Sequence, residues 1–139
     1  MTTRPRFTGT SQDFLLLIAR VLIIALFLKI GIPKLMDFRG SIAYMTRIGA
    51  PMPMLASAIL IAMDVVVAIA ILIGFHTRPL ALLLALYTLG AAIIGHPFWL
   101  RDGPQQMNDM IHFYKNLSIM GGLLALGAAG PGRFSIDRS

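Results

Sequence analysis

Four apolar blocks, over 14–32, 55–74, 80–95 and 111–130, divide the chain of 139 residues and limit its fold more than anything else in it. A bilayer core of about 30 Å needs about 20 helical residues at a rise of about 1.5 Å each, and the blocks approach that length. In hydrocarbon every backbone polar group must be satisfied inside its own segment, and a helix does that. The expectation is an all-α integral membrane protein, a four-helix bundle forming one domain over 1–139. A soluble domain of this size could not hide 57% apolar residues behind 13% charged ones.

The connections differ in character. Pro33 to Pro53 is too polar to cross, yet Leu35, Phe38, Ile42 and Met45 recur there at helical spacing among Lys34, Asp37, Arg39 and Arg47. That pattern predicts a short helix, either in the headgroup layer or packed as a cap over the bundle, stopped by Pro51 and Pro53. Phe75 to Pro79 is a tight turn that makes spans two and three antiparallel. Pro97 to Met110 reads as a loop, opening with Phe98 and Trp99, which favour the membrane interface. Small residues at four-residue spacing, Ala58 with Ala62, Ala81 with Ala85, and Gly121 with Ala125 and Ala129, are the expected helix contacts.

The first block follows a basic leader, as a signal peptide would. Arg20 interrupts its apolar run, however, and no small-x-small cleavage site precedes Pro33, so it reads as a retained span. A cytoplasmic N-terminus places Arg4, Arg6, Arg78, Arg133 and Arg138 inside and Lys34, Arg39, Arg47 and Arg101 outside. Five against four favours a multi-pass protein with both termini in. The net charge of +6 is scattered rather than clustered with stacking aromatics, so anionic lipid headgroups, not nucleic acid, are the expected partner. The chain has no cysteine, which excludes disulfides, thiol catalysis and cysteine-held clusters.

Three charges fall within the apolar blocks: Arg20, Lys29 and Asp64. A charge near mid-bilayer costs about 2.5 to 3.5 kcal/mol on insertion scales, so each needs a partner or water. Arg20 and Lys29 are nine residues apart and take opposite helix faces. Lys29 is close enough to the end of its span to snorkel to the interface, as Lys34 beyond it can, which leaves Arg20 as the expected partner of Asp64. That pair is either a packing ion pair or a carboxylate serving proton handling or ligand binding. Tyr87, inside span three, reads as a packed aromatic whose hydroxyl wants a partner.

A second constellation lies at the start of span four. His112, Lys115 and Asn116 have i, i+3, i+4 spacing and share one helix face, at the end where span three delivers His96. They offer an imidazole, an ammonium and an amide to one polar ligand or headgroup. No carboxylate or second histidine stands at ligand spacing on either helix, so no metal is expected. A haem held by His96 and His112 would sit at the membrane margin without a supporting motif, and no cofactor is evident.

Further residues extend the pattern. Arg20 is followed by Gly31 and Lys34, then Gly49-Ala50-Pro51, a carboxylate in span two, and Gly74 with Thr77-Arg78. His112-Phe113-Tyr114-Lys115-Asn116, Gly121-Gly122 and the tail Gly130-Pro131-Gly132-Arg133-Phe134-Ser135-Ile136-Asp137 complete it. Together they resemble the DoxX family of small bacterial inner-membrane proteins over nearly the whole chain. The resemblance implies a four-helix inner-membrane protein, a link to quinone and thiosulfate oxidation or to oxidative-stress complexes, and a Glu at the position of Asp64. The expected function is an accessory subunit that binds a lipid or quinone and supports a redox or stress-response partner protein. The alternatives are a quinone-linked oxidoreductase in its own right, and a small-solute or proton carrier acting as a homo-oligomer.

Overall fold

The computed structural model describes residues 9–137. Arg4, Arg6 and Arg138, used above to orient the chain, lie outside the described residues. The elements run in the order α1 Gly9–Met36, α2 Phe38–Arg47, α3 Pro53–Ile73, α4 Thr77–Gly95, a short 3-10 turn Phe98–Leu100, and α5 Gly103–Ala129. Helix is the only repetitive structure among the described residues.

Local chemistry explains the boundaries. Asp37 caps α2 by accepting the Gly40 amide at 3.0 Å. Pro53 opens α3 where its missing N–H has no cost. Gly74, in the left-handed region at φ 78°, turns the chain from α3 into α4. Two boundaries depart from expectation. α1 continues through Pro33 to Met36, because a proline one turn from the end removes one hydrogen bond that the last turn can forgo. The expected loop from Pro97 to Met110 is mostly helix, since Gly103 and Pro104 start α5 there.

The long helices α1, α3, α4 and α5 pack around one core in which Ile24, Ile71, Leu84 and Leu123 are fully buried. Large apolar side chains also point outward from every one of them, among them Leu22, Val66, Leu86 and Leu124. A water-soluble protein does not expose such a belt; a lipid-facing one does. Since lipid is as apolar as leucine, close packing rather than water exclusion holds the helices together. Of the expected small-residue contacts, Ala81 and Ala85 are buried. Ala58, Ala62, Gly121, Ala125 and Ala129 face outward, and the tight approach to α4 is instead made by Gly127, where an added Cβ would lie 3.0 Å from Leu82.

Three helices, α1, α3 and α4, are long and apolar enough to cross a membrane, where four crossings are expected. The fourth long helix, α5, falls short in composition because its first half carries His112, Lys115 and Asn116. α2 packs Met45 against Ala50 and Leu60, so the short amphipathic helix acts as a cap over one end of the core.

The opposite end is closed by polar bonds. Arg20, completely buried, donates to the Leu72 carbonyl at 2.7 Å and to the Phe134 carbonyl. The C-terminal tail lies along the α3–α4 turn, its Ile136 and Asp137 amides bonded to Ile73 and Gly74, and the Asp137 carboxylate takes the His76 amide. Arg133 N–H bonds Asp13 at 3.0 Å. Arg78 donates to the Ala128 carbonyl at 2.5 Å and closes the C-terminal turn of α5.

Candidate functional site

The expected pair of Arg20 and Asp64 does not form. Helices α1 and α3 set the register: an added Cβ at Gly31 would sit 2.6 Å from Asp64 Cβ, so Asp64 lies level with Gly31. Arg20 is eleven residues earlier in α1, about 16 Å away along the axis, and serves the tail instead. Asp64 turns to Tyr87 of α4, whose hydroxyl interacts with it, with Lys34 the cation whose charge reaches it. Tyr87 therefore has a polar role as well as a packed ring.

The backbone at Asp64 is unusual. Ala62–Val67 winds as a π turn, and three consecutive residues, Met63, Asp64 and Val65, are buried. A regular α-helix rotates about 100° per residue and would carry one of the three outward, whereas the wider turn holds all of them inside. Asp64 is 4% exposed. Such turns occur mostly as single bulges and often at functional sites.

Around Asp64 opens a cavity of about 670 Å³. Apolar walls come from Phe27 and Ile30 of α1, Leu55 and Ile59 of α3, and Ile94 of α4. Two groups of polar residues interrupt them. The inner group is Asp64, Tyr87 and Lys34, the last with its ammonium 4.0 Å above the Tyr44 ring of α2. The outer group is His96, His112, Lys115 and Asn116. The sequence constellation and the buried carboxylate, placed apart by reading along the chain, thus share one chamber. Arg20, Lys29 and Trp99 are not in its wall: Arg20 is in the closed end, Lys29 is exposed, and Trp99 meets Phe98 and Phe113 edge to face beside the outer group.

The chamber exists because the helices diverge. Pro53–Ile61, the first part of α3, comes within 8 Å of α1 and α2 at the Cα level but not of α4, while the π turn below does meet α4. Leu55, Ile59 and Ile94, all exposed, border the gap. Its mouth therefore faces the lipid-facing belt.

One candidate residue, beside the outer group, escaped the sequence reading. Asp109, 4% exposed, sits 3.3 Å from His96 Nδ1, accepts from Gln105 at 3.2 Å, and pairs with Arg101 at 3.3 Å. The His96 ring stacks on His112 with centroids 5.0 Å apart. Gln105 and Asp109 are at i, i+4 spacing, a signal that the expected loop over this stretch obscured. Among the described residues no cluster of metal-ligating side chains occurs. Burial opposes the charged Asp109, but the hydrogen bonds from Gln105 and His96 and the charge of Arg101 outweigh it and hold the carboxyl below the usual carboxylate range.

A carboxylate depressed in the folded state contributes stability above its unfolded pKa and loses it as pH falls through the folded value. The stability difference between the protein and Asp109→Asn, measured by thermal unfolding in detergent, should be full at about pH 6 and shrink below about pH 4. A difference that stays constant across that range would show that the pair carries no charge-dependent stability.

The DoxX family model matches residues 15–97, ending before the His112 face and the tail. Over nearly the whole chain, it is 49% identical to the inner membrane protein YphA of Escherichia coli across 130 residues, 94% of this chain and 93% of that protein. It is 39% identical to the inner membrane protein YqjF of the same organism across 127 residues, 91% of this chain and 92% of that one. No solved structure matches.

Proposed function

Given that the chain belongs to the DoxX family, we propose that it is a bacterial inner-membrane protein whose cavity holds a lipid-like amphiphile, a quinone or a membrane lipid. In this reading it is an accessory subunit of a redox or stress-response complex. α5 forms a fourth crossing: its 27 residues span about 40 Å, antiparallel to α4, with the polar first turns at the interface and the termini on the cytoplasmic side. The observation that carries the reading is the cavity itself, apolar in its walls, polar at two stations and open between α3 and α4. Ligand sites of this kind bury an apolar body and orient it by a few polar groups. With no cysteine in the chain, electrons would have to come from a partner protein or from the ligand.

The test is purification from native membranes followed by mass spectrometry of what remains bound. A quinone or a single lipid class should be enriched over the bulk membrane. Gly90 lines the cavity with open space beside it, so Gly90→Leu fills the chamber without a clash and should remove the enrichment. Bulk phospholipid in both proteins would refute the proposal.

A further inference from the structure

The outer polar station has a feature that goes beyond holding an amphiphile. Asp109 is buried, and three neighbours fix it: Gln105 donates to Oδ2 at 3.2 Å, Arg101 Nε lies 3.3 Å from the same oxygen, and His96 Nδ1 faces Oδ1 at 3.3 Å. An ionised carboxylate can only accept. His96 Nδ1 must then carry the proton, and a neutral imidazole with a protonated Nδ1 has Nε2 as a lone-pair acceptor. His96 comes from the end of α4 and Asp109 from the second turn of α5, so the short 3-10 connection between those helices is what brings them together. His112, stacked on the His96 ring, limits the rotation that would exchange the two nitrogens. Lys115 and Asn116 complete the same side of the cavity with donors. Lys115 can only donate, whereas His96 offers Nε2 as an acceptor.

We propose that Asp109 is a positioning residue that fixes the His96 tautomer, so that the outer station receives an amphiphile whose head group carries a hydroxyl donor, accepted by His96 Nε2. The inference rests on the cavity reading above and narrows its ligand to hydroxyl-bearing heads. Donors from Lys115 and Asn116 meet the remaining acceptor atoms of such a head, and the alkyl body extends along Ile94, Ile59 and Leu55 towards the gap between α3 and α4. No covalent step is involved. The hydroxyl proton is shared with Nε2 in a hydrogen bond.

Two probes that differ only in the donor test this: 4-octylphenol and its methyl ether, 4-octylanisole, each titrated into the full chain in phosphatidylcholine nanodiscs. One neutral hydrogen bond made in an apolar site should let the phenol bind about tenfold tighter, which is about 1.4 kcal/mol. In Asp109→Ala the imidazole is released, and the preference should fall to about threefold or less while the ether binds as before. Nitrogen-15 spectra of the histidines at alkaline pH give a second readout that a purely structural role would not produce. His96 should carry its proton on Nδ1 in the protein and shift towards Nε2 in Asp109→Ala. Equal binding of the two probes, or a native His96 protonated on Nε2, would overturn the inference while leaving the cavity reading standing. If neither probe binds, or if Gly90→Leu binds both unchanged, the cavity reading fails and this inference falls with it.

Discussion

Arg20→Ala should be the most damaging single substitution in the protein, lowering stability by about 3 to 5 kcal/mol, with Arg20→Lys intermediate. The guanidinium is fully buried and spans two carbonyls from distant parts of the chain, Leu72 in α3 and Phe134 in the tail. Hydrogen bonds from a charged donor contribute about 1.5 to 3 kcal/mol each, and truncation takes the donor from both carbonyls. Its Nε has no partner, which keeps the expected loss below the sum of three such bonds. A lysine keeps the charge but lacks the planar fork and can serve one carbonyl well. Thermal unfolding in detergent measures the loss. Limited trypsin digestion locates it: cleavage after Arg133, slow while the tail is pinned to Asp13 and the α3–α4 turn, should become fast in Arg20→Ala. Because Asp64 lies at another level of the bundle, Arg20→Ala and Asp64→Asn should add within about 0.5 kcal/mol. Strong coupling between them, or an unchanged digestion pattern, would contradict the assignment of Arg20 to the tail.

The same residue shows where a sequence can and cannot be read. Length and hydropathy locate α1, α3 and α4 because the bilayer imposes one dimension on every crossing. The i, i+3, i+4 spacing of His112, Lys115 and Asn116 holds for any helix, so the face they share in α5 and along the cavity was legible without coordinates. The partner of Arg20 was not, because backbone carbonyls are present at every residue and leave no trace in composition. Charge matching favours Asp64, whereas helix register, set by the close approach at Gly31, decides against it. The π turn at Ala62–Val67 has no residue signature either. Asp109 was hidden for a different reason: Gly103 and Pro104, turn formers in a loop, are also the opening of a helix.

At Asp64 the expected result is a gain in stability joined to a loss of ligand. A carboxyl held at 4% exposure gives up its hydration, and the desolvation of a buried charge commonly exceeds what its partners return. Asp64→Asn keeps the shape and an acceptor for Tyr87, so it should stabilise the fold by about 1 kcal/mol. Tyr87→Phe should act in the opposite sense, leaving the carboxyl unpaired and costing about 1 to 3 kcal/mol. If the inner station orients the head of a bound amphiphile through a charge-assisted hydrogen bond, either substitution should reduce its occupancy about tenfold or more. Thermal unfolding and mass spectrometry of co-purified lipid, performed on the same preparations, measure both quantities. A residue kept for packing alone would move stability and occupancy together, and Asp64→Asn would then leave occupancy unchanged or raise it. Opposite signs in Asp64→Asn can arise only if the protein retains an unfavourable buried acid for what the cavity holds.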